Sequence, residues 1–106
     1  MSMTVVVTRN ASDRTRGFLA SSMLELAPGV YTAARISPAV RERIWGVLSE
    51  WFQEDEDSSV VMVWESADHP GGQAVQVLGA PPVELVEIDG LVLTKRTVVE
   101  TPDRHR

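Results

Sequence analysis

The sequence contains no cysteine, so disulfide bonds, thiolate nucleophiles and cysteine-ligated metals are excluded. It also lacks an apolar run close to the roughly 20 residues that a membrane-spanning helix needs. The N-terminus does not carry the charged and apolar regions of a signal peptide, and neither an internal repeat nor a low-complexity segment is present. These absences predict a cytoplasmic protein with no membrane partner.

Acidic residues outnumber basic ones, but the two kinds of charge are unevenly distributed. The net charge of −5 argues by itself against a nucleic-acid binder, because affinity for phosphate backbones comes from Lys and Arg. Acidic residues are concentrated at Glu50 and in the run Glu54–Asp57. The first 43 residues instead carry Arg9, Arg14, Arg16, Arg35, Arg41 and Arg43. A basic face on an acidic protein is therefore compatible with the composition.

The length of 106 residues and a hydrophobic fraction of 43% fit one domain with one core. The apolar pattern predicts, in chain order, strand, helix, strand, helix, two strands and a terminal hairpin-like extension. The predicted strands span 3–8, 30–36, 60–64 and 73–78, the helices span 12–27 and 37–53, and the hairpin spans 83–99 around Asp89-Gly90. The simplest packing is a ferredoxin-like α+β sandwich, with two helices on one face of a small antiparallel sheet.

Apolar spacing also predicts which side chains are buried. The valines of 3–8 do not alternate with polar residues, so we expect that strand to be buried on both faces. The two helices are expected to bury stripes at helical spacing. These stripes contain Thr15, Phe18, Leu19, Met23 and Leu26 in the first helix, and Val40, Ile44, Val47, Leu48 and Trp51 in the second.

Arg14 and Arg16 lie in the first turn of the first predicted helix. Cations there oppose the helix dipole at a cost of about 0.3 to 1 kcal/mol each, yet two guanidinium groups beside unpaired helix amides bind phosphate well. We therefore predict an anionic partner. The alternative interpretation is a pair of solubilising surface arginines that are neutralised by Asp13 or Glu25.

Other groups of polar or aromatic residues point to no catalytic chemistry. The run Glu54–Asp57 lacks the glycine and the ligand spacing of a calcium loop, so we interpret it as a solvated loop. His69 and His105 have no second ligand at metal spacing. The three tryptophans, Trp45, Trp51 and Trp64, are expected in a core or an interface rather than stacked on bases.

Several motifs are distributed in order from Met1 to about Arg96. They are Met1–Thr8, Asn10, Arg14-x-Arg16-Gly17, Leu24-Glu25, Gly29-Val30-Tyr31, Arg41-Glu42-x-Ile44-Trp45, Val60-Val61-Met62-x-Trp64 and Asp89-Gly90-Leu91. Together they resemble the second of the two universal CRISPR-associated (Cas) adaptation proteins, in its type I-E form. The resemblance implies a ferredoxin-like homodimer that bridges two dimers of the Cas integrase and helps to hold double-stranded protospacer DNA during spacer acquisition in antiviral defence.

The resemblance also assigns candidate DNA contacts. Arg14 and Arg16 match the DNA-backbone contacts of the family. Relatives place paired arginines after the fourth strand, whereas this chain has Pro81-Pro82-Val83, so that part of the DNA track is missing or supplied by Arg41, Arg43 or the tail. The predicted DNA-binding residues are therefore Asn10, Arg14, Arg16, Arg41 and Arg43.

The wider family is labelled a metal-dependent endoribonuclease or deoxyribonuclease. Its nuclease-active members carry an aspartate at the end of the first strand, where this chain has Arg9-Asn10. A guanidinium cannot ligate magnesium and would repel it. We therefore expect a non-catalytic, DNA-binding scaffolding subunit without a cofactor. The alternatives are a magnesium-dependent endonuclease acting on RNA or DNA, and a stand-alone dimer that binds a small anion.

The C-terminal third supplies the expected partner-binding surface. We predict a domain over residues 1–96 and a polar tail over 97–106. The segment 91–99 combines apolar residues with the polar residues 94–97, whose basic pair would protect this edge from aggregation. The segment is expected to complete the sheet of a partner protomer or to dock on the integrase by β-strand addition. Its predicted contact residues are Leu91, Leu93, Lys95 and Arg96.

Overall fold

The computed structural model describes residues 2–52, 57–79 and 84–95. Its elements are β1 (Ser2–Arg9), α1 (Asp13–Ser22), β2 (Leu24–Ala27), β3 (Val30–Ile36), α2 (Pro38–Trp51), β4 (Ser59–Glu65), a 3-10 turn (Pro70–Gly72), β5 (Gln73–Leu78), β6 (Glu84–Ile88) and β7 (Leu91–Lys95). The first five strands form an antiparallel sheet in the order β2-β3-β1-β4-β5, and β6 pairs with β7 in a separate two-stranded sheet. This arrangement confirms the predicted ferredoxin-like α+β fold.

Both helices cover the same face of the five-stranded sheet. On the central strand, Val6 lies opposite Tyr31 of β3 and Met62 of β4, so these three side chains share one face. They form the core together with side chains from α1, α2 and β4, namely Leu19, Met23, Ile44, Leu48 and Val60. The predicted two-layer packing is therefore confirmed.

Each helix begins at the hydroxyl residue that the sequence predicted. The Ser12 side chain accepts a hydrogen bond from the Thr15 amide, and the Ser37 side chain accepts one from the Val40 amide, both at 3.2 Å. Such caps satisfy amides that have no partner within the helix. Because both helix starts are fixed by local chemistry, they lie where the sequence places them.

The predicted end of the first helix was wrong. Helix α1 stops at Ser22, and Leu24–Ala27 forms the edge strand β2, which pairs with β3. The hydroxyl groups of Ser21 and Ser22 both donate to the Phe18 carbonyl oxygen, at 2.8 and 2.9 Å, and so compete with continued helix hydrogen bonding. Leu26, expected in the buried stripe, is 61% exposed, whereas Thr15, Leu19 and Met23 are buried as predicted.

Within a single chain, the first strand is not buried on both faces as predicted. The helices cover only one face, and the other face leaves Met3 53% and Val7 41% exposed. Helix α2 ends at Trp51, two residues before the predicted end near Gln53, and Val40, expected in the buried stripe, is 42% exposed. Ile44 and Leu48 are buried as expected.

The C-terminal hairpin turns at the predicted dipeptide. Asp89 and Gly90 have φ values of 52° and 81°, the left-handed pair that a two-residue hairpin turn needs. Strands β6 and β7 span 84–88 and 91–95. The predicted extension of the second strand over 96–99, the tail 97–106 with His105, the segment Pro81-Pro82-Val83 and most of the acidic run, 54–56, lie outside the described residues.

Candidate nucleic-acid interface

The carboxyl end of β1 is held by a short loop. Asn10 adopts a left-handed backbone with φ of 55°, which asparagine tolerates better than most residues. Its side-chain amide donates to the Asp57 carbonyl oxygen, and the Ser58 hydroxyl donates to the Asn10 carbonyl oxygen, both at 3.2 Å. Asn10, a predicted DNA contact, therefore joins the end of β1 to the segment that precedes β4.

Arg16 lies in the first turn of α1 and is paired with an acidic neighbour. Its guanidinium contacts the Asp13 carboxylate at 2.8 Å, and both side chains are largely exposed. The pairing with Asp13 that the sequence offered as an alternative is therefore present. An exposed pair of this kind contributes about 0 to 1 kcal/mol, so a phosphate group can displace Asp13 at little cost.

Arg14 has a different partner. Its guanidinium carbon lies 3.7 Å from the centroid of the Trp51 ring, at the end of α2. Trp51 in turn meets Phe18 edge to face, with centroids 5.6 Å apart and planes at 72°. Within residues 2–52, 57–79 and 84–95, the carboxylate that neutralises Arg16 has no equivalent at Arg14. Arg14 therefore keeps an uncompensated positive charge on the described surface.

The two arginines point to different sides of α1. Residues two positions apart on a helix do not share a face, and Arg14 leans toward α2. Arg16 lies near the β2–β3 side, where its charge acts on the Tyr31 phenol. Burial, reinforced by the Glu25 carboxylate, nevertheless raises the pKa of Tyr31. Arg14 and Arg16 therefore do not form one shared phosphate site, as the sequence suggested, but two separate cationic contacts, one on each side of the helix.

A cavity of about 120 Å³ opens at the same end of the sheet. The loop after β1 and the ends of α2 and β4 line it, through Arg9, Asn10, Ala11, Ser12, Thr15, Leu48, Trp51, Phe52, Ser58, Ser59 and Val60. The exposed Arg9 thus joins Arg14 and Arg16 at this end. Arg9 was counted among the arginines of a possible basic face but not among the predicted DNA contacts; its place at the end of a central strand was the signal for a contact role.

Arg41 and Arg43 are not brought to this end. Helix α2 starts at the opposite end of the sheet, where the Arg41 guanidinium lies 4.1 Å from the centroid of the Trp64 ring. His69 meets the same indole edge to face, and its Nδ1 lies 2.7 Å from the Ser66 hydroxyl. Arg43 is exposed two residues further along α2. These two predicted contacts therefore belong to a second, separate part of the surface.

A comparison with protein-family models identifies the family. The model described as CRISPR-associated protein (Cas_Cas2CT1978) matches residues 3–93. The chain belongs to this CRISPR-associated family. The matched range contains β1 except for Ser2, all the strands and helices from α1 to β6, most of β7, and every predicted DNA contact from Asn10 to Arg43. The family is Cas2-like, in agreement with the resemblance that the motifs carry.

The magnesium ion that nuclease activity in this Cas2-like family would need does not fit the residues at the end of β1. Arg9 offers only hydrogen-bond donors and a positive charge, and Asn10 offers a neutral amide whose nitrogen is already bonded to Asp57. Hard divalent cations are held mainly by carboxylate oxygens. No group of three or more acidic or histidine side chains that could hold a metal occurs in the described parts of the chain.

The predicted partner-binding residues lie on the separate β6–β7 hairpin. Leu91 is 62% and Leu93 45% exposed, and Ile88 is exposed beside the turn. Strand β7 runs close to the 3-10 turn before β5, and the hairpin forms no ladder with the five-stranded sheet. Lys95 ends β7, while Arg96 lies outside the described residues. This family member therefore presents an apolar hairpin surface.

A second apolar surface is the sheet face that the helices leave uncovered. Its side chains follow from strand alternation and register and are almost all aliphatic: Met3, Val5, Val7, Val30, Val61, Val63, Val75 and Val77. No helix in the described residues has the length and apolar character to cross a membrane. A contiguous apolar surface of this kind is characteristic of a protein–protein contact.

Proposed function

We propose that the chain is a non-catalytic DNA-binding and scaffolding subunit of the CRISPR spacer-acquisition complex, in the type I-E form. Membership of a CRISPR-associated family supports the context. The observation that carries the proposal is the presence of three exposed arginines, Arg9, Arg14 and Arg16, at one end of the sheet, with Arg14 uncompensated by any described carboxylate.

The chemistry of these groups suits the backbone of duplex DNA. Guanidinium groups bind phosphate through paired N–H donors, and exposed side chains reach a regularly charged surface without distorting the protein. The net charge of −5 opposes any general attraction to DNA. Binding therefore depends on local cations and is independent of base sequence.

The uncovered sheet face supports a homodimer. Two copies that pack this face around a two-fold axis would bury the exposed Met3 and Val7 of both protomers. The same two-fold axis would give the dimer two copies of the surface that carries Arg9, Arg14 and Arg16. Duplex DNA would then contact two equivalent sites, which suits a scaffold better than a single site does.

The β6–β7 hairpin supports a docking role toward the integrase. Its exposed leucines and the main-chain groups of β7 suit addition to a strand of another chain. Deletion from Leu91 onward should abolish co-purification with the integrase while residues before Gly79 stay resistant to proteolysis. Co-purification of the truncated chain at normal stoichiometry would exclude the hairpin as the docking surface.

The proposed function is tested by co-expression with the neighbouring integrase and by a nuclease assay on the same preparation. We expect a stable complex that binds duplex DNA. We also expect the purified chain to show no cleavage of RNA or DNA that depends on magnesium, and Arg9→Ala to leave this result unchanged. Cleavage that requires magnesium and stops with a chelator would favour the endonuclease alternative, and failure to bind the integrase would contradict the scaffold role.

A further inference from the structure

We propose that Trp51 is a positioning residue for the DNA contact. Its indole stacks on the Arg14 guanidinium and holds it in place, while the N–H groups of the guanidinium stay free to bind a phosphate. This inference deepens the proposed function and rests on it. It assigns to Trp51 a task that differs from the core or interface role expected from the sequence.

The geometry of the stack leaves the donors of Arg14 available. The guanidinium carbon lies over the ring at 3.7 Å from its centroid. In such a stack the flat cation uses its face for the attraction to the ring, while the N–H groups lie in the plane of the guanidinium and point outward. Arg14 can therefore bind the ring and a phosphate at the same time, which Lys with its compact ammonium group cannot do as well.

The indole is itself held on two sides by α1. Arg14 and Phe18 are four residues apart and so share one face of that helix. Phe18 meets Trp51 edge to face at 5.6 Å, and Trp51 is the last residue of α2. The ring is thus wedged between two side chains of α1, and its half-buried position at the end of α2 limits its motion.

A held arginine binds more tightly than a free one for an entropic reason. A long side chain loses rotamer freedom when it docks on a phosphate, and a contact that restricts it beforehand reduces that loss. Arg16 differs, because its restraint is the Asp13 carboxylate, which competes with the phosphate for the same donors. Trp51 restrains Arg14 without such competition.

The test is a double-mutant cycle on the full chain with a random-sequence duplex, using Trp51→Leu, Arg14→Ala and the two together. We expect Trp51→Leu to weaken binding about two- to fivefold and to leave the salt dependence unchanged, because no charge is lost. In the Arg14→Ala background, Trp51→Leu should have no further effect. Arg35→Ala, which removes one exposed cation from the far end of β3, is the matched control and should leave this coupling unchanged.

The result that would overturn the inference is an equal loss from Trp51→Leu with and without Arg14, which would show a structural role for Trp51 that does not act through Arg14. Trp51→Phe keeps an aromatic ring and should retain most of the affinity. If the leucine variant unfolds at lower urea concentrations, a Trp51→Phe variant that loses as much affinity as Arg14→Ala would contradict the inference in its place. An Arg14→Ala variant that binds DNA normally would instead remove Arg14 from the proposed interface, so the two failures are distinguishable.

Discussion

Replacing Arg14 and Arg16 together with alanine should reduce the affinity for duplex DNA without harming the fold. Both side chains are exposed, and neither contributes to the core. Both cations oppose the dipole at the start of α1, and their removal also loses the Asp13 pair and the stack of Arg14 on Trp51. These opposing effects should leave a net change in stability of less than about 1 kcal/mol.

The salt dependence of DNA binding should fall in the double variant, because fewer counterions are released when the chain binds. Each guanidinium that neutralises a phosphate of B-DNA contributes about 0.9 to the slope of log Kobs against log salt concentration. Because Arg14 and Arg16 lie on different sides of α1, they should contact different phosphates and their effects should add. The double variant should therefore flatten the slope by about 1.8 per protomer, and by twice that in a dimer that uses both sites.

Fluorescence anisotropy with a labelled duplex over a range of salt concentrations measures this slope. The loss should be the same for duplexes of unrelated sequence, since phosphate contacts carry no base information. Asp13→Asn is the matched control: it frees Arg16 without adding a cation, and should strengthen binding slightly at low salt. An unchanged slope in the double variant would refute the placement of these arginines at the interface.

Three further predictions test the packing of the domain. Val7→Asp on the uncovered sheet face should convert a dimer to a monomer in light scattering. Val40→Asp, at nearly equal exposure on α2, should leave the dimer intact. If both variants were monomers, or both were dimers, the proposed dimer surface would be contradicted. Gly79→Ala should lower the free energy of unfolding by about 1 to 3 kcal/mol, because φ is +91° and a methyl group would overlap the backbone. Gly17→Ala in α1, with open space around it, should be neutral or stabilising. Burial raises the pKa of Tyr31, so the stability that its neutral phenol supports is present below pH 10.0 and lost above it. The wild-type chain should therefore become easier to unfold in urea as the pH rises past that value, whereas Tyr31→Phe should not show this loss. Parallel pH profiles of the two chains would contradict this.

Local signals in the sequence were sufficient for much of the fold. Ser12 and Ser37 predicted the helix starts, because a cap is decided by a residue and its near neighbours. Asp89-Gly90 predicted the hairpin turn for the same reason. Strand β2 was missed, since Leu26 also fits helical spacing. The existence of a four-residue edge strand depends on its pairing with β3, which a local pattern does not contain.

The candidate site shows the same division between local and distant information. The pairing of Arg16 with Asp13 was foreseeable, because the two residues lie three positions apart on one helix. The contact of Arg14 with Trp51 was not, because it joins the start of α1 to the end of α2 through the packing of the whole helix layer. The uncovered sheet face followed from the predicted packing of both helices on one face, although a run of valines alone looks the same whether one or both faces are buried.

The proposed role in spacer acquisition can be measured in a reconstituted integration reaction with purified integrase, a duplex donor and a plasmid carrying a CRISPR array. Insertion should require this chain and fall sharply with Arg14→Ala and Arg16→Ala combined. Insertion at the same rate without the chain, or full activity of the double arginine variant, would contradict it.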